Sequence, residues 1–136
     1  GAALFVISES ITVDGLIDVS GSTGAGGSAC GTSGTTTCTY GGGGGSGGGV
    51  LLHGDTVEIN GGISARGAPG GVGNDSGGGG GGGRVKVFWN SSLSGVCSTP
   101  SCWQVGGGPA GNGTGQIVDA GDGGNGSTHA AQTAWP

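Results

Sequence analysis

The chain has 136 residues, of which 41 are glycine; three Lys or Arg stand against eight Asp or Glu, for a net charge of −5. No Gly-X-Y period exists, which excludes a collagen triple helix, and the longest apolar run, Ala2 to Ile7, is far shorter than the roughly 20 residues of a membrane-spanning helix. No membrane span is therefore expected, and three basic residues cannot make a phosphate-binding footprint, so nucleic acid is not expected either.

No basic, apolar-centred signal segment opens the chain, so the sequence is expected to be a mature product or a fragment of one. Leu4-Phe-Val-Ile7 is the first strand candidate. Ile11-Thr-Val-Asp-Gly-Leu-Ile-Asp-Val-Ser-Gly21 follows and recurs, at an offset of 46, as Val57-Glu-Ile-Asn-Gly-Gly-Ile-Ser-Ala-Arg-Gly67. Ile11, Val13, Ile17 and Val19 point one way, as do Val57, Ile59, Ile63 and Ala65; the residues between them are polar. That period of two predicts strands with one buried face. Gly15 and Gly61 mark a bend between two short strands. Gln116-Ile-Val-Asp-Ala-Gly121 matches the second half of the block.

Glycine runs feed directly into apolar strands twice: 41–49 into Val50-Leu-Leu, and 77–83 into Arg84-Val-Lys-Val-Phe-Trp89. Together these features predict one all-β domain over 1–136. Its short strands form a β-helix-like or solenoid-like stack of about three units, with no significant α-helix. The units start near residues 4, 50 and 85, with inserts at about 28–40 and 91–103. Flexible linkers are the plain alternative for the glycine runs. Glycine, however, allows extended or polyproline-II strands to pack backbone to backbone, where every buried N–H and C=O must be satisfied. On that model Gly80→Ala is disruptive, whereas Gly126→Ala, expected in a C-terminal loop, is neutral. Ser46 is the one small interruption of its run.

The four cysteines form two close pairs, Cys30 with Cys38 and Cys97 with Cys102. Three connectivities exist, and proximity favours these two disulfides. A metal reading that adds His53 and His129 lacks the spacing of structural zinc sites. Disulfides imply an oxidising compartment. Four of the five asparagines, Asn74, Asn90, Asn112 and Asn125, open an Asn-X-Ser/Thr sequon. Chance would give about one, so N-linked glycans are expected on a chain of eukaryotic origin, although Asn-Gly is also a turn dipeptide.

Catalytic patterns are weak. Asp14, Asp18, Asp55, Asp119 and Asp122 are the acids available for paired-carboxylate chemistry, but alternation places Asp14 and Asp18 on a solvated strand face. His53 and Asp55 lie two residues apart with no nucleophile motif nearby. The glycine runs lack the Gly-Lys-Ser/Thr of a phosphate-cradling loop. No enzyme activity, cofactor or metal is expected.

The segment from Gly41 to Val96 resembles the glycine-rich ectodomain repeats of large secreted or cell-surface proteins of plants and protists, which often adjoin ephrin-receptor-like cysteine-rich modules. The likeness extends over most of residues 11–121 and is strongest over 41–90. It implies an extracellular location and a structural role, and it carries over no catalytic residue. The two cysteine inserts depart from the pattern.

The function expected is therefore a secreted, glycosylated, disulfide-bonded subunit of a fibril, coat or matrix that self-associates. Apolar residues at both ends, Leu4 to Ile7 and Ala134-Trp135, suit heterologous contacts. The alternative is a regular surface that binds ice or glycans, against which no Thr-X-Thr ladder recurs. A β-helical polysaccharide-degrading enzyme is a third class, disfavoured by the lack of clustered acids.

Overall fold

The computed structural model describes residues 1–27, 39–113 and 120–134. Among them the chain is all-β apart from one 3-10 turn at Pro100–Cys102. Strands β1 (Ala3–Val13), β3 (Gly49–Ile59), β5 (Arg84–Ser94) and β6 (Ser127–Gln132) form a sheet in the order β1-β3-β5-β6. Every pairing is parallel. Two short strands, β2 (Ile17–Asp18) and β4 (Ile63–Ser64), pair separately, and Gln104 bridges to Ser64 beside them.

The offset of 46 in the sequence is a physical register. Ile11 lies beside Val57 and Ile17 beside Ile63. Leu4, Val50 and Val85 lie side by side across the sheet. Alternation turns one set of side chains inward: Leu52, Ile59, Ile63, Val57, Val85 and Val87 are essentially fully buried. The Cys97 to Trp103 loop docks on this core, with the Cys97 N–H donating to the Ile59 carbonyl at 2.9 Å. The Trp103 indole N–H donates to the Cys97 carbonyl at 2.9 Å. Burying a ring of this size requires such a partner for its N–H.

Two expectations need correction. The insert placed at 91–103 begins later, because β5 continues to Ser94. The region around Gly126 is not a loop but the entry to a fourth strand, β6. Its sequence, Ser-Thr-His-Ala-Ala-Gln, lacks bulky apolar alternation, so its strand character comes from pairing with β5 rather than from its own pattern. A Cβ on Gly126 would strike the Gly83 carbonyl, so this position is as constrained as Gly80.

The glycine-rich segments are hydrogen-bonded on a period of three. Gly42, Gly45 and Gly48 donate to the carbonyls of Ala25, Ser22 and Val19, each at 2.8 Å, so those segments run antiparallel. The neighbouring donors Gly41, Gly44 and Gly47 reach the carbonyls of Asp75, Gly78 and Gly81 in a parallel segment. Gly77, Gly80 and Gly83 donate in turn to Gly71, Ala68 and Ala65. Three residues per repeat is the period of the polyproline-II helix. The third position of the 41–48 segment is exposed, and Ser46 occupies it. Among the described residues Gly95 alone has a positive φ, 101°. The runs are therefore glycine for close approach, not for an unusual backbone angle.

Candidate assembly faces

Among the described residues the two outer strands carry backbone groups that no neighbouring strand pairs. In a parallel sheet, each strand residue directs both its N–H and C=O to one neighbour, and successive residues alternate sides. The Gly49 N–H donates to the Ala2 carbonyl at 2.9 Å, with Ala3 opposite Gly49. Leu4, Val6 and Ser8 therefore face β3, while Ala3, Phe5, Ile7 and Glu9 turn their backbone groups outward. At the other end Ser127 donates to Gly83 at 3.0 Å and Thr133 to Trp89 at 2.7 Å. The odd-numbered residues of β6 thus engage β5, and Thr128, Ala130 and Gln132 face away. No strand among the described residues covers either edge. Phe5 and Ile7 on β1 are 70% and 65% exposed.

The glycine segments end differently. Gly67 and Gly70 donate to the carbonyls of Gly106 and Pro109 in the next parallel segment, at 2.9 and 3.0 Å. Their equivalents in that segment, Gly107 and Ala110, instead donate to side chains, Asn125 Oδ1 at 3.1 Å and Asp122 Oδ1 at 2.7 Å. Asp122 and Asn125 occupy the places that Gly79 and Gly82 hold one segment earlier, since those two glycines donate to Gly121 and Gly124. A Cβ at Gly79 or Gly82 would collide with the carbonyl of Gly108 or Val105. Beyond 105–111 no further segment crowds this side among the described residues, so Asp122 and Asn125 have room for side chains. Their oxygens stand in for the missing carbonyls.

The expected site residues are dispersed. Cys97 and Cys102 are disulfide-bonded, with Cα atoms 5.4 Å apart; Cys30 and Cys38 lie outside the described residues, as do Asp119 and Trp135. Asn112 and Asn125 are exposed, whereas Asn74 and Asn90 are half-buried. Asn125 binds the backbone through Oδ1, which leaves its Nδ2 directed elsewhere. Asn90 Nδ2 donates to Asp55 Oδ1 at 2.7 Å, and the Ser91 hydroxyl donates to the same oxygen at 2.8 Å. These bonds, that from Asn90 first, hold the Asp55 carboxyl below the usual aspartate range. Hydrogen bonding by Ser20 lowers Asp18 likewise. Asp14 and Asp18 are exposed, as alternation requires.

Across the outer face of the sheet, the Phe88 ring lies between His53 and His129, with centroids 5.9 and 5.6 Å away. The His53 Nε2 also meets the Thr133 hydroxyl at 3.3 Å. Sequence reasoning missed both this row and the Asp122–Asn125 pair. The signal available for the pair was its three-residue spacing within an otherwise glycine-rich segment. Among the described residues, no group of three or more His, Cys, Asp or Glu side chains gathers to hold a metal. No helix among them is long and apolar enough to cross a membrane. Compared with protein-family models, curated proteins and solved structures, the chain matches none.

Proposed function

We propose that this chain is a non-catalytic building block of an extracellular fibril, coat or matrix, a glycoprotein related in kind to the glycine-rich ectodomain repeats it resembles. In this reading the parallel strands and glycine segments are coils of a β-solenoid whose glycine side is a polyproline-II bilayer. The observation that carries it is that no strand among the described residues covers either sheet edge, one of which bears exposed Phe5 and Ile7. Natural sheets blunt such edges with charge, proline or a covering element; β1 carries no charge or proline between Ala3 and Ser8, and no strand among the described residues covers it. The disulfide Cys97–Cys102 and the four sequons support an oxidising, secretory route.

Electron microscopy and sedimentation of the purified protein over a range of concentrations test the reading. Elongated particles that lengthen with concentration are expected. Monodisperse particles at every concentration would overturn it. Intact mass before and after enzymatic deglycosylation tests the glycoprotein part separately, and a chain carrying no glycan at any sequon removes that part. A second reading, a glycan-binding surface, is favoured by the Phe88 ring set between two imidazoles on the outer face of the sheet. A glycan array probed with wild type and Phe88→Ala tests it, and binding that does not depend on Phe88 counts against it.

A further inference from the structure

We propose that copies join head to tail through the sheet alone: β1 of one copy pairs in parallel with the outer edge of β6 of the next, with Leu4 opposite Thr128. This join rests on the assembly reading above and specifies its contact.

Three observations support it. The first is register. Leu4, Val50, Val85 and Thr128 form one row within the chain, so setting Leu4 of a second copy beside Thr128 continues that row without a shift. The second is the direction of the backbone groups. In that register Thr128 must bond to the residues on either side of Leu4, namely Ala3 and Phe5, and Ala130 must bond to Phe5 and Ile7. Those are the residues whose N–H and C=O face outward on β1, just as Thr128 and Ala130 face outward on β6. A slip of one residue would oppose groups that are already engaged and would turn every side chain to the wrong face.

Side chains agree with the same register. Leu4 and Val6 would sit beside Thr128 and Ala130 and extend the buried face. Phe5 would sit beside His129 and Ile7 beside Ala131, covering the two most exposed apolar side chains of β1. No like charges oppose one another between Ala3 and Ser8, because that stretch carries none.

The third observation concerns the glycine segments. Asp122 and Asn125 already occupy the N–H groups of Ala110 and Gly107 that a further glycine segment would bind. At this end the backbone demand of the glycine segments is met by side chains, and that of the sheet edge is met by no strand among the described residues. The edge of β6 is thus left as the docking surface. Because the two partner edges differ, the contact is heterologous and propagates.

The test uses prolines at positions whose N–H faces outward, where a strand tolerates them. Phe5→Pro disables the β1 edge and leaves β6 intact; Ala130→Pro does the reverse. Gln132→Pro replaces Ala130→Pro if that variant fails to fold, as judged by its thermal transition. Each variant alone is expected to remain monomeric, and an equimolar mixture is expected to stop at a heterodimer, measured by sedimentation and native mass. Filaments from either folded variant alone, or no heterodimer from the folded pair, would overturn the join while leaving the assembly reading intact. Wild type that stays monomeric at all concentrations overturns both.

Discussion

The sheet and the glycine segments satisfy their backbones by different periods, and the contrast shows what glycine does in each. On the sheet, side chains alternate in twos, and Leu52 or Val87 fills the core that its neighbours leave open. In the glycine segments the period is three. Two of every three positions carry N–H groups to neighbouring backbones, and the third looks away. Within the run 77–83, a Cβ on Gly80 would strike the Gly45 carbonyl, whereas one on Gly78 would meet nothing nearer than the Gly121 oxygen at 3.6 Å. Identical residues two apart therefore have opposite tolerance. A high glycine content here is a set of specific close approaches interleaved with free positions.

Gly80→Ala provides the largest test. Its Cβ meets backbone rather than a flexible side chain, so nothing nearby can yield cheaply. Destabilisation of about 4 kcal/mol or more is expected, a size reached by few mechanisms, and Gly80→Val should not fold. Measured by chemical denaturation, a loss under about 1 kcal/mol would show that the segments are tethers.

Leu52→Ala breaks the sheet side of the contrast. Truncation of a fully buried leucine should cost about 3 kcal/mol through lost burial and the cavity left behind. If Leu52→Ala were harmless while Gly80→Ala unfolded the chain, the glycine segments alone would carry the fold.

Gly78→Ala sharpens the comparison from within one run. Its φ is not in the left-handed region, and the added methyl has room, so the effect should lie within about 0.5 kcal/mol and can be stabilising through a less flexible unfolded chain. This variant is the proper control for Gly80→Ala, the part that sequence reasoning gave to Gly126.

The smallest effect is electrostatic. Asp55 has a folded-state pKa below its unfolded value, held down by Asn90 and Ser91. Its contribution is complete above the unfolded value and disappears as pH falls through the ordinary aspartate range to the lowered one. Thermal melts of wild type and Asp55→Asn should differ slightly at neutral pH and converge in acid. A difference that persists at the acid end would mean that the side-chain exchange, not the charge, is responsible.

Much of the sheet was legible in advance because its register is written as a repeat. The match of Ile11 to Gly21 with Val57 to Gly67 is the alignment of neighbouring strands, and the starts near 4, 50 and 85 fall on one row. Strand β6 escaped because Thr128 is polar and Ala130 is small, so neither announces a buried face; its place is fixed by β5. The threefold period of the glycine segments escaped because glycine has no side chain to mark it. Only the interruptions do so: Ser46 on the exposed position, and Asp122 and Asn125 three residues apart. The residues 116–121, expected to match the second half of the repeated block, lie mostly outside the described residues, and Gln104 stands beside Ser64 instead.

The hydrogen-bonded glycine segments also bear on how the molecule responds to temperature. The heat capacity of unfolding rises with newly hydrated apolar surface and falls with newly hydrated peptide groups. A domain that buries peptide backbone over much of its length shifts both contributions in the same direction. Its heat-capacity increment, measured by scanning calorimetry, should fall below the roughly 12–15 cal/mol/K per residue of ordinary domains. The stability curve is then shallow, and hydrogen bonding between the glycine segments does not weaken on cooling as apolar packing does. Such a protein keeps its shape across a wide thermal range without needing a larger core.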